Sequence, residues 1–186
     1  MLMVLSNADR CSDLVVLDLN FRDFVGNGVR FVIPGLTKTR ISGPPLEAFY
    51  PSFPEDPCVY PVATLWCYET QSKDLRKSQH SSRNPLFISV WKSHKPVKAA
   101  TVGHLLKAIK KLAGIDMNTF SAHCTRGAST SKAKLVGVSM SDILKAANWS
   151  STSTFCHFYH RLLNIGLFGS GVLPTLKHWW VSNVTM

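Results

Sequence analysis

The stretch His123-Cys-Thr-Arg126, continued by Ala147-Asn148-Trp149 and then by Thr154-Phe-Cys-His-Phe-Tyr159, sets an imidazole, a guanidinium, an indole and a phenol in fixed chain order. Each residue alone has an ordinary structural explanation: an indole anchors a core, and a phenol sits half-buried at a surface. Their order and spacing carry the information, and the surrounding sequence tells which elements hold them.

Just after the first of these residues, positions 125–136 are rich in Ala, Ser and Lys and end at Gly137. Ser139 followed three residues later by Asp142 has the form of a capping box, which predicts a second helix running to Asn148. Ala133, Gly137, Val138 and Ile143 match the spacing of a helix-turn-helix unit, although any corner between two helices needs similar residues. Upstream, Val102, Leu105, Leu106, Ile109 and Leu112 follow the i, i+3, i+4, i+7 stripe. That spacing predicts an amphipathic helix closed by Gly114, with Lys107, Lys110 and Lys111 together on its outer face.

Further toward the start, residues 61–75 open on a proline suited to a first helical turn and place Val62, Leu65, Trp66 and Glu69 at helical spacing. Residues 86–90 read as a short buried strand. The prolines at 44, 45, 51, 54, 57 and 61 remove too many donors for a helix or a central strand, so residues 43–61 read as an extended connection. Between Gly28 and Arg40, apolar and polar side chains alternate around Pro34-Gly35, a strand and hairpin signal with Lys38 on or beside it. Residues 1–19 predict a helical turn, a tight connection and a second helix.

The 186 residues suffice for one domain with a substantial core. Lys and Arg number 21 against 11 Asp and Glu, a net charge of +10, which suits a polyanionic partner and equally a protein kept soluble by its charge. Five cysteines, Cys11, Cys58, Cys67, Cys124 and Cys156, form neither a CxxC pair nor an even framework, so reduced, packed thiols are expected. No apolar run reaches membrane-spanning length and the start lacks the basic region of a secretory signal, which together predict an intracellular, soluble protein without a membrane partner.

With these residues in order, the chain resembles the tyrosine recombinase family of phage-integrase type. Its signature is H-x-x-R, then a His or Trp about two dozen residues on, then a Tyr nucleophile. His123, Arg126, Trp149 and Tyr159 fall in register with it. Ala8-Asp-Arg10-Cys-Ser-Asp13-Leu14 resembles the family's first-arginine motif, R-x-S-E/D-L, and Lys38 in Gly35-Leu-Thr-Lys38-Thr-Arg40 occupies the position of its β-hairpin lysine. The phrasing at residues 129–133 and 158–161 is most similar to recombinases of eukaryotic mobile elements and host genes derived from them.

The resemblance implies a mostly helical α+β catalytic domain with a small antiparallel sheet. It would occupy residues 1–165, be N-terminally truncated because the chain begins at the Arg10 motif, and be followed by a tail at 166–186. It implies cleavage and rejoining of double-stranded DNA through a 3′-phosphotyrosyl link, self-association on DNA as in the family, and a nuclear location if the source is eukaryotic. Within it Tyr159 is the nucleophile, Arg10 and Arg126 grip the phosphate, His123 exchanges protons, Lys38 is the general acid and Trp149 donates from its indole. Asp13 orients the site from behind, and Arg40, Lys107, Lys110, Lys111 and Lys132 are cations for the DNA backbone, with Arg40 or Arg30 as alternatives to Lys38 for the cation nearest the phosphate.

The chemistry suits the residue types. Attack on a phosphodiester builds negative charge on its oxygens, and two guanidinium forks hold those oxygens without a metal or other cofactor. A tyrosine hydroxyl needs a proton acceptor and a cationic surrounding to become a nucleophile. His157 and His160, with Cys124 and Cys156, lack the paired spacing of a zinc site, so no metal is expected. Two other functions fit the same residues: a DNA-binding remnant or domesticated protein that no longer catalyses, and a type IB topoisomerase.

Overall fold

The computed structural model describes residues 1–35, 45–56, 59–76, 82–91, 93–121 and 124–159. Residues 166–186, expected as a tail, lie outside them, as do Lys38, Arg40, His123 and His160. The chain enters on two short helices, α1 (Leu2–Asn7) and α2 (Cys11–Leu14). The predicted helix, tight connection and helix are present. The connection turns on Ala8, held in the left-handed region at φ 51°.

A three-stranded antiparallel sheet follows, in the order β1 (Arg22–Val25), β2 (Gly28–Ile33) and β3 (Leu46–Pro51). The strand expected from Gly28 is β2, one hairpin turns at Gly26-Asn27 with Val25 paired to Gly28, and the expected turn beyond Pro34-Gly35 runs into residues 36–44, outside the described residues. Gly26 has the positive φ that two-residue hairpin loops favour. Gly28 is required by close approach, because a Cβ there would lie 2.5 Å from the Tyr50 carbonyl oxygen and from the Phe49 ring.

The proline-rich segment is not wholly a connection, since it supplies β3. Strand order explains why this is tolerated: β3 is an edge, and Pro51 stands at its end, where a missing donor costs least. Inner-face residues alternate with period 2. Val29, Phe31, Ile33, Ala48 and Tyr50 are buried, with Val29 opposite Tyr50 and Phe31 opposite Ala48. Phe31 and Tyr50 meet edge to face at 6.0 Å.

Against this face pack Val4 of α1, Leu14 of α2, Leu65 of α3 (Pro61–Arg76) and Val102 and Leu106 of α4 (Ala99–Leu112). Residues 86–90 are buried at Leu86 and Ile88 but form no strand. Among the described residues their backbone pairs only in isolated bridges, the Leu86 amide with the Leu17 carbonyl and the Val97 amide with the Phe87 carbonyl, and side chains take other groups. Arg76 donates to the carbonyls of Pro85 and Leu86, both at 2.6 Å, and Tyr68 Oη accepts from the Ile88 amide at 3.1 Å.

The buried line of α4 is narrower than its apolar stripe. Val102, Leu106 and Lys110 point inward, while Leu105, Ile109 and Leu112 are exposed. Lys110 therefore does not share an outer basic face with Lys107 and Lys111. It is 4% exposed, and its ammonium donates to the Ser121 carbonyl at 2.9 Å. The assignment of Lys110 to a DNA-facing surface is corrected by this burial; Lys107, Lys111 and Lys132 are exposed.

A second, smaller cluster lies beside the first. It joins Ala8 to Ile143, Ala147, Trp149 and Phe155, and is built by α5 (Cys124–Leu135), α6 (Met140–Ala146) and α7 (Thr152–Phe158). Ser139 caps α6 as predicted, its Oγ accepting from the Asp142 amide at 3.2 Å, and Gly137 turns at φ 87°. Among the described residues no helix is long and apolar enough to cross a membrane.

Candidate active site

The site forms where α2, α5 and the residues that follow α6 and α7 meet. On α5, Arg126 is 3% exposed, and its Nη2 donates to the Ala147 carbonyl at the end of α6. That carbonyl is presented by the helix ending. Asn148 adopts the left-handed region at φ 49°, and the Trp149 amide returns to the Leu144 carbonyl at 2.9 Å. An asparagine suits this position because its short polar side chain tolerates positive φ.

The same turn sends Trp149 inward over Arg126, with the guanidinium carbon 4.7 Å from the indole ring centre. A cation over an aromatic face is an attractive arrangement, more so when both are shielded from water. Phe155 of α7 is fully buried and stacks on Trp149 at 5.9 Å. One turn later the chain reaches Tyr159, whose amide donates to the Phe155 carbonyl at 2.9 Å and whose ring lies 4.5 Å from that of Trp149.

Two further residues fix Tyr159. Ser131 Oγ donates to its carbonyl at 2.6 Å, and a Cβ on Gly127 would stand 3.4 Å from its ring. Gly127 follows Arg126 directly and Ser131 stands about one turn further along α5, so the helix carrying Arg126 also seats the phenol. Nothing in the sequence distinguishes them from the other small residues of α5.

Arg10 enters from the other side. Asp13, on the first turn of α2, accepts from the Arg10 amide at 2.9 Å through Oδ2. The same oxygen is 3.8 Å from Arg10 Nη1 and 3.7 Å from Arg126 Nη1. One carboxylate thus stands between two guanidinium groups, the orienting place expected for it. Burial, with repulsion from Arg10 second, lowers the Arg126 pKa to about 10; Asp13 opposes that shift, and the guanidinium stays protonated at neutral pH.

The structure therefore brings together Arg10, Asp13, Arg126, Trp149 and Tyr159. Arg126 Nε and Nη1 and Trp149 Nε1 are buried with no hydrogen-bond partner among the described residues. Among the described residues these donors make no hydrogen bond, Nη1 only facing Asp13 Oδ2 at 3.7 Å, and buried donors so placed suit an anion. Lys107, Lys111 and Lys132 do not enter this cluster. Among the described residues no group of three or more His, Cys, Asp or Glu could hold a metal.

Sequence reasoning passed over a polar cluster directly behind Arg10. Asp9 is 4% exposed; it accepts from Tyr50 Oη of β3 at 2.6 Å and from Asn7 Nδ2 of α1 at 3.0 Å. Burial raises the Asp9 carboxyl to about pKa 7 against the lowering effect of both hydrogen bonds. The adjacency of Asp9 to Arg10 was visible in the sequence, but its pairing with Tyr50 is a long-range contact no local pattern announces.

No protein-family model matches the sequence, and no curated protein does. Solved structures do. The chain is similar to XerA recombinase, with a TM-score of 0.60 and 17% identity over 97% of this chain and 55% of that one. It is similar to XerH site-specific recombinase bound to difH substrate in a pre-cleavage complex, with a TM-score of 0.65 and 12% identity over 90% of this chain and 43% of that one. For the Tn1549 transposon integrase in complex with circular intermediate DNA the TM-score is 0.54, at 15% identity over 91% of this chain and 55% of that one. The chain spans about half the length of these proteins. With its helices around a three-stranded antiparallel sheet, the chain has the fold of the tyrosine recombinase catalytic domain.

Proposed function

We propose that this chain carries the catalytic centre of a DNA strand-transferase, with Tyr159 as nucleophile. The observation that carries the reading is the convergence of Arg10, Arg126, Trp149 and Tyr159 around three buried donors that make no hydrogen bond among the described residues. In the proposed reaction Tyr159 Oη attacks a DNA phosphorus, the bond to the 5′ oxygen breaks, and a 3′-phosphotyrosyl link forms. Arg10 and Arg126 hold the phosphoryl oxygens as charge develops on them, and Trp149 Nε1 gives a third donor. Lys38 would protonate the departing 5′ oxygen and His123 would exchange the phenol's proton. Attack by a 5′ hydroxyl on the link then rejoins a strand without ATP, since the phosphodiester energy is kept.

Double-stranded DNA is the proposed partner. A net charge of +10 and the exposed Lys107, Lys111 and Lys132 support it, and the XerH and Tn1549 structures were solved with DNA. Self-association on DNA and an origin in a eukaryotic mobile element are finer proposals that rest on the resemblance alone. The test is incubation with nicked duplex DNA followed by denaturation. A protein–DNA adduct that disappears in Tyr159→Phe supports strand transfer, whereas plasmid relaxation at no preferred site supports a type IB topoisomerase instead.

One observation favours a second reading, a DNA-binding protein of this fold that does not cleave. Arg126 is nearly sealed, beneath Trp149 and with the Tyr159 ring 6.0 Å from its guanidinium carbon. A phosphate reaches it only after those rings give way. DNA binding without an adduct is the outcome expected of that protein.

A further inference from the structure

We propose that Asp9 is a positioning residue for the guanidinium pair: held behind Arg10 by Tyr50 and Asn7, it ties the Arg10 turn to the sheet and sets the charge that Arg10 and Arg126 present to an anion. The functional consequence rests on the strand-transfer reading; the placement of Asp9 does not.

The geometry begins with the backbone. Asn7 ends α1, Ala8 turns at φ 51°, Asp9 follows, and Arg10 precedes the first residue of α2. A non-glycine residue in the left-handed region costs about 1 kcal/mol or more and persists only where its surroundings hold it. Here the hold is Asp9, whose two oxygens accept separately from Asn7 Nδ2 at 3.0 Å and Tyr50 Oη at 2.6 Å. Tyr50 is 1% exposed and belongs to β3, so a sheet residue fixes where Arg10 leaves the turn.

Among the described residues four groups act on the Asp9 carboxyl. Asp13 of α2 raises the carboxyl's proton affinity, Arg126 of α5 lowers it, and the phenol of Tyr50 and the amide of Asn7 lower it by donating. Burial outweighs these and leaves Asp9 near the point of losing its proton at neutral pH. Protonated, Asp9 leaves Asp13, among the described residues, to offset two guanidinium groups. Ionised, it adds a second negative charge behind them, within a shielded region, and the pair attracts an incoming phosphate less.

The test needs no DNA in its first arm. The Arg10 and Arg126 Nε–H resonances are followed from pH 5 to 8.5 in the wild type, Asp9→Asn and Tyr50→Phe. Asparagine keeps the shape and a carbonyl acceptor, and phenylalanine keeps the ring. The wild-type resonances should move with a midpoint near neutrality, the movement should be absent in Asp9→Asn, and the midpoint should rise in Tyr50→Phe, which loses a donor to the carboxylate. Any histidine titration is common to all three proteins and cancels in the comparison.

In the second arm, adduct formation on nicked duplex DNA should fall between pH 6 and 8 by roughly three- to tenfold more in the wild type than in Asp9→Asn, the effect of one unit charge near a partly shielded pair. A wild-type trace with no midpoint, or the same midpoint in Asp9→Asn, overturns the proposal. An adduct absent from all three proteins sinks strand transfer, and the resonances then decide on Asp9 by themselves.

Discussion

Trp149 and Tyr159 stack with ring centres 4.5 Å apart and planes inclined by 31°, so the phenol proposed as nucleophile rests on the indole that covers Arg126. The contact joins the end of α6 to the end of α7. It also makes one residue answer for both stability and site geometry.

Trp149→Ala removes a buried ring from the smaller cluster and leaves Arg126 without its aromatic cover, so a loss of about 3–5 kcal/mol is expected. Trp149→Phe keeps a smaller aromatic ring over Arg126 and removes the Nε1 donor, which has no hydrogen-bond partner among the described residues. Denaturant unfolding should place the phenylalanine variant well above the alanine variant, while its adduct formation on nicked DNA should still fall. Equal stability of the two variants would mean that Trp149 is not packed as described.

Asp13→Asn keeps the size of the side chain and removes the charge between Arg10 and Arg126. The two guanidinium groups then repel without an intervening anion, and about 1–2 kcal/mol of stability should be lost, less at high salt where repulsion is screened. Unfolding at low and high ionic strength measures both effects. A loss that does not shrink with salt would point to the Arg10 amide hydrogen bond instead.

Stability should depend on pH through Asp9. Its folded-state pKa, about 7, lies above the ordinary carboxylate value, so the folded protein holds this proton more tightly than the unfolded chain. The stabilising contribution is fully present below about pH 4 and is lost as pH rises through about 7. Asp9→Asn should flatten that decline between pH 4 and 7 in thermal melts across the range. A variant whose decline matches the wild type would contradict the burial of this carboxyl.

Ser131→Ala deletes the donor to the Tyr159 carbonyl while leaving every ring contact in place. A cost of about 1 kcal/mol is expected, close to that of one hydrogen bond. The sharper readout is local: hydrogen exchange of the α7 amides should quicken, with α3 and α4 unchanged.

The fold and most of the site were legible because their signals are local. Helices α3, α4 and α5 declare themselves by period, by a first-turn proline and by a closing glycine, and the Ser139 cap and Gly137 turn stand where short-range chemistry put them. The order of Arg126, Trp149 and Tyr159 pointed to their convergence, and Arg10 and Asp13 joined them.

What was not legible depends on partners distant in sequence. Residues 86–90 read as a strand, but among the described residues their backbone pairs only through isolated bridges, with Arg76 and Tyr68 taking the Leu86 carbonyl and the Ile88 amide. Lys110 reads as surface because lysine usually is, yet the Ser121 carbonyl lets its ammonium sit inside. Residues 46–51 form a strand within the proline-rich stretch because their one proline, Pro51, stands at the end of an edge strand. Lys38, Arg40 and His123 lie outside the described residues, and their roles stand as proposals.

The measurement closest to the central claim is the attachment site itself. Wild-type protein and Tyr159→Phe are incubated with nicked duplex DNA, denatured, digested with nuclease and protease, and the peptides weighed. The strand-transfer account predicts a nucleotide carried on the peptide containing Tyr159, through its phenol, and none in the variant. A nucleotide on another residue, or a folded wild-type protein that binds DNA and yields no adducted peptide, would contradict it.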